Sequence, residues 1–117
     1  MPVTLYGIKN CDTMKKAFTW LKDHEVAYAF HDYRAEGIDQ ALVTAWSEKL
    51  GWEKVLNKAS TTFKELPEAD KADIDEAKAI QLMVQHPTMI KRPVLVTDDA
   101  VMTGFKPDVY GEIFKLP

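Results

Sequence analysis

The sequence holds one cysteine, Cys11, and its neighbours decide what it can do. A short apolar run from Val3 to Tyr6 ends at Gly7, and a loop of Ile8, Lys9 and Asn10 leads into Cys11-Asp12-Thr13-Met14. Met14, Ala17, Phe18 and Leu21 then recur at steps of three and four, the spacing of one helical face. Lys15, Lys16 and Lys22 fall off that face. Cys11 therefore lies at or just before the first turn of a helix. The first backbone N–H groups of a helix have no partner within it, and with the macrodipole they stabilise a negative charge placed there. The thiolate is the reactive form of cysteine, and helix N-termini are among the places that favour it. Lys9 adds positive charge. Asp12 opposes it if its carboxylate turns to the sulfur; alternatively it caps the helix by accepting from a backbone N–H. The competing reading is a small buried hydrophobe, common for a free cysteine. The polar flanks Lys9, Asn10, Asp12 and Thr13 speak against that. Asn10 itself reads equally well as a loop former or as a polar contact to a substrate.

The elements that must position this cysteine follow from pattern. Residues 3–6 read as a strand and 12–24 as the helix. Ala27-Tyr28-Ala29-Phe30-His31-Asp32-Tyr33 alternates and is rich in aromatics, a second strand. Strand, helix, strand in so short a span is a βαβ unit with parallel strands and a right-handed crossover. Arg34 to Gly37 reads as a turn. A long helical stretch begins at Ile38, with Leu42, Val43, Trp46 and Leu50 as its stripe and Gly51 as its stop. Residues 55–63 are ambiguous. Ile74, Ala77, Ile80, Gln81 and Val84 predict a further helix behind the acidic residues Asp70, Asp73, Asp75 and Glu76, and His86-Pro87 ends it. Ile90 to Thr97 and Ala100 to Gly104 predict two strands joined at Asp98-Asp99, and Lys106-Pro107-Asp108 opens a last helix. The expected architecture is one domain over residues 1–117 with a helical insertion at about 35–86.

Composition narrows the function. The 117 residues carry a net charge of −3, which gives no electrostatic case for nucleic-acid binding. No apolar run is long enough to span a bilayer, and residues 1–7 lack the basic and apolar regions of a secretory signal. A single cysteine cannot form an internal disulfide, so a cytoplasmic, reducing setting is expected. His24, His31 and His86 have no metal-ligand spacing with Cys11, and no metal or bound cofactor is expected. Trp20, Trp46 and Trp52 read as core or seam, and Tyr6 and Tyr33 as packing residues.

Four stretches occur in register over nearly the whole chain: Tyr6 to Thr13, Leu56 to Leu66, His86 to Leu95, and Gly104-Phe105-Lys106-Pro107. Together they resemble the arsenate reductase ArsC family, in its Spx/MgsR/YffB branch, and match its YffB-like proteins best. The resemblance implies a thioredoxin-like α/β fold, a mixed four-stranded sheet with an inserted helical subdomain. It implies a cis peptide before Pro93, a proline that faces the cysteine, and with it Arg92 reaching the sulfur. A guanidinium suits that place because it stays charged and offers a donor fork to an anion. Read without the resemblance, Arg92 is a surface residue at a strand start.

Departures from the family pattern shape the expected chemistry. The resemblance implies, for glutaredoxin-coupled arsenate reductases, several arginines around an oxyanion and a histidine shortly before the cysteine. Here Gly7 stands at the histidine position. Asn57, with Lys58 beside it and Ala59 beyond, replaces one arginine, and Phe105, beside Lys106, replaces another. Arg92 is retained. Charge-assisted bonds are the strong ones for an oxyanion, so this set is thinner. Many Spx proteins carry C-x-x-C at the loop; here its second position is Met14, so an outside thiol must resolve any mixed disulfide. The expectation is a glutathione-dependent thiol-disulfide reductase, with Cys11 as nucleophile and Arg92 supporting it. Lys9, Asn10, Asp12, Thr13, Asn57, Lys58 and Pro93 are the expected substrate or glutathione contacts, with the backbone at Pro93 receiving the peptide unit as an added strand. Glutathione is the co-substrate, glutathione or glutaredoxin the partner, and a monomer the favoured state. The alternatives are arsenate reduction with glutathione and glutaredoxin, and a non-enzymatic, Spx-like protein-binding regulator.

Overall fold

The computed structural model describes residues 3–115. They form two compact units, one of residues 3–33 with 92–115 and one of residues 34–91. In chain order the elements are β1 (Thr4–Gly7), α1 (Asp12–Asp23), β2 (Ala29–Asp32), α2 (Tyr33–Glu36), α3 (Gln40–Leu50), α4 (Trp52–Val55), α5 (Thr61–Lys64), α6 (Glu68–Lys71), α7 (Glu76–Gln85), a 3-10 turn (Pro87–Met89), β3 (Val94–Val96), β4 (Val101–Thr103) and α8 (Pro107–Ile113).

The first unit is built on a four-stranded mixed sheet in the order β2-β1-β3-β4. β1 pairs in parallel with β2 and antiparallel with β3, and β3 pairs antiparallel with β4. This is the thioredoxin-like α/β arrangement. The apolar face of α1 supplies Met14, Ala17 and Leu21, each fully buried with Leu5 and Leu95 from the sheet and Tyr110 from α8. Aromatic edges extend that core. Trp20 and Phe105 each meet Tyr110 edge to face, with ring centroids 5.5 and 4.8 Å apart, and Phe18 meets Phe30 edge to face at 5.1 Å.

The strands are shorter than the pattern predicts. β3 begins at Val94 rather than Ile90, because Ile90 bridges to Leu56 and the Lys91 N–H donates to the Val55 carbonyl at 2.9 Å. The Asn57 N–H likewise donates to the Met89 carbonyl at 2.7 Å. These bonds carry the second unit to residue 91, beyond the expected 86. β2 ends at Asp32, and the expected turn at Arg34 begins one residue earlier as the helical turn α2. Within the second unit side chains cap the helices. Asp39 accepts from the Ala41 N–H, Ser60 from Phe63 and Asp75 from Lys78. Gly51, at φ +90°, stops α3 as expected. Among the described residues no helix is long and apolar enough to cross a membrane.

Two packing features are testable. A Cβ added at Gly7 would sit against the sulfur and methyl of the fully buried Met14. Gly7→Ala should therefore destabilise the fold by about 1–3 kcal/mol, as overpacking does, read as a lower urea midpoint; an unchanged midpoint would mean that Met14 has room to yield. The Tyr110 hydroxyl is buried and, among the described residues, has no hydrogen-bond partner. Tyr110→Phe should raise stability by about 1 kcal/mol at neutral pH, since it removes a desolvated polar group that makes no bond. Burial also raises the Tyr110 pKa above the ordinary phenol value. The unfolded chain then loses its proton first as pH rises, so this contribution is whole below about pH 10 and is lost above it. The same variant should show a shallower alkaline loss of stability in urea titrations.

Candidate functional site

The site is assembled at one end of the sheet. Tyr6 is opposite His31 of β2 on one side and Val94 of β3 on the other, and Gly7 is opposite Asp32. The loop leaving β1, the residue after β2 and the residues before β3 therefore meet at the same sheet end. Those are Ile8 to Cys11, Tyr33, and Arg92-Pro93.

Cys11 is the N-cap residue of α1, with extended backbone angles (φ −144°, ψ 130°), and its side chain makes no capping hydrogen bond. Its carbonyl accepts the Lys15 N–H at 3.0 Å, the opening bond of the helix. The residue is half-buried and packs against the core shared by Leu5, Met14 and Leu95. A deeply buried sulfur would support the hydrophobe reading; partial exposure keeps this one accessible. Lys9, Asn10 and Asp12 are exposed and Thr13 is half-buried. Asp12 is the first residue of α1 and the acidic residue of its first turn.

The Arg92–Pro93 peptide is cis, as the resemblance implies. Pro93 is buried, and its carbonyl accepts the Gly104 N–H at 2.9 Å. Gly104 itself has φ +82°, a conformation that side chains rarely adopt. Arg92 is half-buried. Its guanidinium donates to the phenol oxygen of Tyr33, a side chain only 1% exposed. Burial drives the Tyr33 pKa far above the ordinary phenol value; the Arg92 charge works against that rise, and the Cys11 and Asp32 charges add to it. Arg92 and Cys11 thus act on the same phenol. Sequence reasoning assigned Tyr33 to packing and missed this contact. The available signal was position, since groups just beyond the carboxyl ends of parallel strands face the binding end of such sheets.

Asn57 and Lys58 belong to the second unit. The Asn57 side-chain oxygen accepts the Ala59 N–H at 3.0 Å, closing a local turn. The Lys58 ammonium lies 5.5 Å from the centroid of the Trp52 ring, a cation–π contact. Phe105 is part of the aromatic core, and Lys106 is the exposed N-cap of α8. His24 caps α1, its Nδ1 2.8 Å from the Trp20 carbonyl and its ring stacked on Trp20. His31 packs against Tyr6 with centroids 5.1 Å apart. Among the described residues no group of three metal-ligating side chains converges.

Comparison with known proteins agrees with this geometry. The family model described as "ArsC family" matches residues 6–113. The solved YFFB (PA3664) protein is 59% identical, with a TM-score of 0.92 over 94% of this chain and 96% of that one. An arsenate reductase (ArsC) related protein from Brucella melitensis is 52% identical, with a TM-score of 0.76 over 99% of this chain and 97% of that one. An uncharacterized protein of Haemophilus influenzae is 41% identical over 112 residues, 96% of this chain and 98% of that one. With its sheet order, its cysteine at the head of α1 and its cis Arg92–Pro93 bond, the chain belongs to the ArsC family.

Proposed function

We propose that the protein is a glutathione-dependent thiol-disulfide reductase with Cys11 as its nucleophile. The observation that carries the reading is a half-exposed cysteine at the N-cap of α1, its side chain uncommitted to capping, at the sheet end that also bears Arg92. In the first step the Cys11 thiolate attacks one sulfur of a glutathione mixed disulfide. A Cys11–glutathione disulfide forms, and the other thiolate leaves and takes up a proton. In the second step the thiolate of a free glutathione attacks the glutathione sulfur of that adduct. Oxidised glutathione leaves and Cys11 returns as thiolate. The helix N-terminus and Arg92 favour the anionic sulfur on both sides of the exchange. Lys9 is placed to meet a glutathione carboxylate, Thr13 to donate to the sulfur, and the backbone beside Pro93 to receive the peptide unit. Asn10, Asp12, Asn57 and Lys58 complete the proposed set of contacts.

A second reading is arsenate reduction, favoured by the likeness to an arsenate reductase related protein at 52% identity. It shares Cys11 and Arg92 but needs convergent donors for an oxyanion, and Gly7, Asn57 and Phe105 are not charged donors.

Intact mass tests the first reading. Wild type incubated with oxidised glutathione should gain one glutathione adduct, Cys11→Ser none, and added reduced glutathione should remove the adduct. A wild-type chain that stays unmodified, or an adduct that persists in excess glutathione, would end it. NADPH consumption through glutathione reductase separates the substrates: turnover with a glutathione mixed disulfide above the Cys11→Ser control is expected, and turnover with arsenate instead would move the assignment to the oxyanion.

A further inference from the structure

We infer that Tyr33 is a positioning residue that holds the Arg92 guanidinium at the Cys11 sulfur. The inference rests on the reading of Cys11 as nucleophile. It starts from the strand register. Gly7 is opposite Asp32, so Tyr33 follows directly beyond the end of β2; Tyr6 is opposite Val94, so Pro93 and Arg92 lie directly beyond the start of β3. The two residues flank the loop that ends in Cys11. Pro93 is held by burial and by its bond from Gly104, which fixes the backbone from which Arg92 projects.

An arginine side chain has rotamer freedom that a fixed backbone does not remove. Something must select the rotamer that faces the sulfur. The Tyr33 hydroxyl can do so. The ring is 1% exposed, so it is anchored by packing. The oxygen accepts from the guanidinium, which leaves further N–H donors of the fork for a thiolate or an entering carboxylate. Burial keeps the phenol protonated, so Tyr33 adds no charge that would compete with the sulfur for Arg92. A carboxylate in its place would hold the guanidinium more tightly but would cancel its charge.

Alkylation with a matched pair of reagents tests this. Iodoacetate is an anion and iodoacetamide its neutral counterpart; both react with the thiolate, so the thiolate fraction cancels in the ratio of their rates. That ratio should fall about three- to tenfold in Arg92→Ala, the scale of losing one unit charge near the reacting atom. Tyr33→Phe, which keeps the ring, should lower it by a comparable factor, and the double variant should go no lower than Arg92→Ala alone. A wild-type ratio in Tyr33→Phe, or additive losses in the double variant, would overturn the role of Tyr33. A wild-type ratio in Arg92→Ala would overturn it too, by removing the guanidinium from the sulfur. A wild-type thiol inert to both reagents would instead bring down the nucleophile reading and this inference with it. Should Tyr33→Phe fail to fold, Arg92→Lys reads the same contact. It keeps the charge and loses the fork, so a lowered ratio supports the placement and an unchanged one overturns it.

Discussion

Strand β1 has hydrogen-bonded neighbours on both edges, parallel β2 on one and antiparallel β3 on the other. The register of these pairings determines where every group of the site emerges. Side chains alternate across a strand, so a slip of one residue would turn Leu5 out of the core and bring Tyr6 in. The burial of Leu5 and Leu95 against α1 therefore locks the register, and the register in turn places Tyr33 and Arg92 beside the loop that carries Cys11. Core packing and site geometry are here one constraint, which is why Gly7, the last residue of β1, has no room for a Cβ above Met14.

The electrostatics follow from the same arrangement. A guanidinium is charged at any working pH, whereas a phenol as deeply buried as Tyr33 resists ionisation. Their hydrogen bond is thus one between a permanent cation and a neutral acceptor. It orients the cation without neutralising it. For a site whose proposed chemistry passes through anionic sulfur, that distinction matters: the positive field of Arg92 stays available where a salt bridge would have consumed it.

Much of this architecture could be read from the residues. The step of three and four from Met14 to Leu21 located α1 and put Cys11 at its head, where the structure has it. The four motifs in register led to the sheet and to the cis Arg92–Pro93 bond. The starts of β3 and α2 could not be read, because both depend on long-range partners. Ile90 and Lys91 look like strand residues, but their bonds go to Leu56 and Val55, and no local pattern announces that pairing. Tyr33 was assigned to packing for the same reason. Its burial is visible in the alternation of aromatics, but the use of its hydroxyl depends on a residue far away in the sequence.

Met14 sets the last condition on the chemistry. It occupies the position where a second cysteine would make C-x-x-C with Cys11, and it is fully buried beneath Gly7. Converting that position to a thiol would not simply add a resolving group; it would leave a small side chain in the space that a methionine fills, at the cost of core packing. The sequence holds no other cysteine. A mixed disulfide on Cys11 can then be opened only by a thiol arriving from solution, and its path must lead over the exposed side of the N-cap. On that path the entering anion meets Lys9 and the end of α1 before it reaches the sulfur, so the same positive groups that favour the Cys11 thiolate also favour the approach of the thiol that regenerates it.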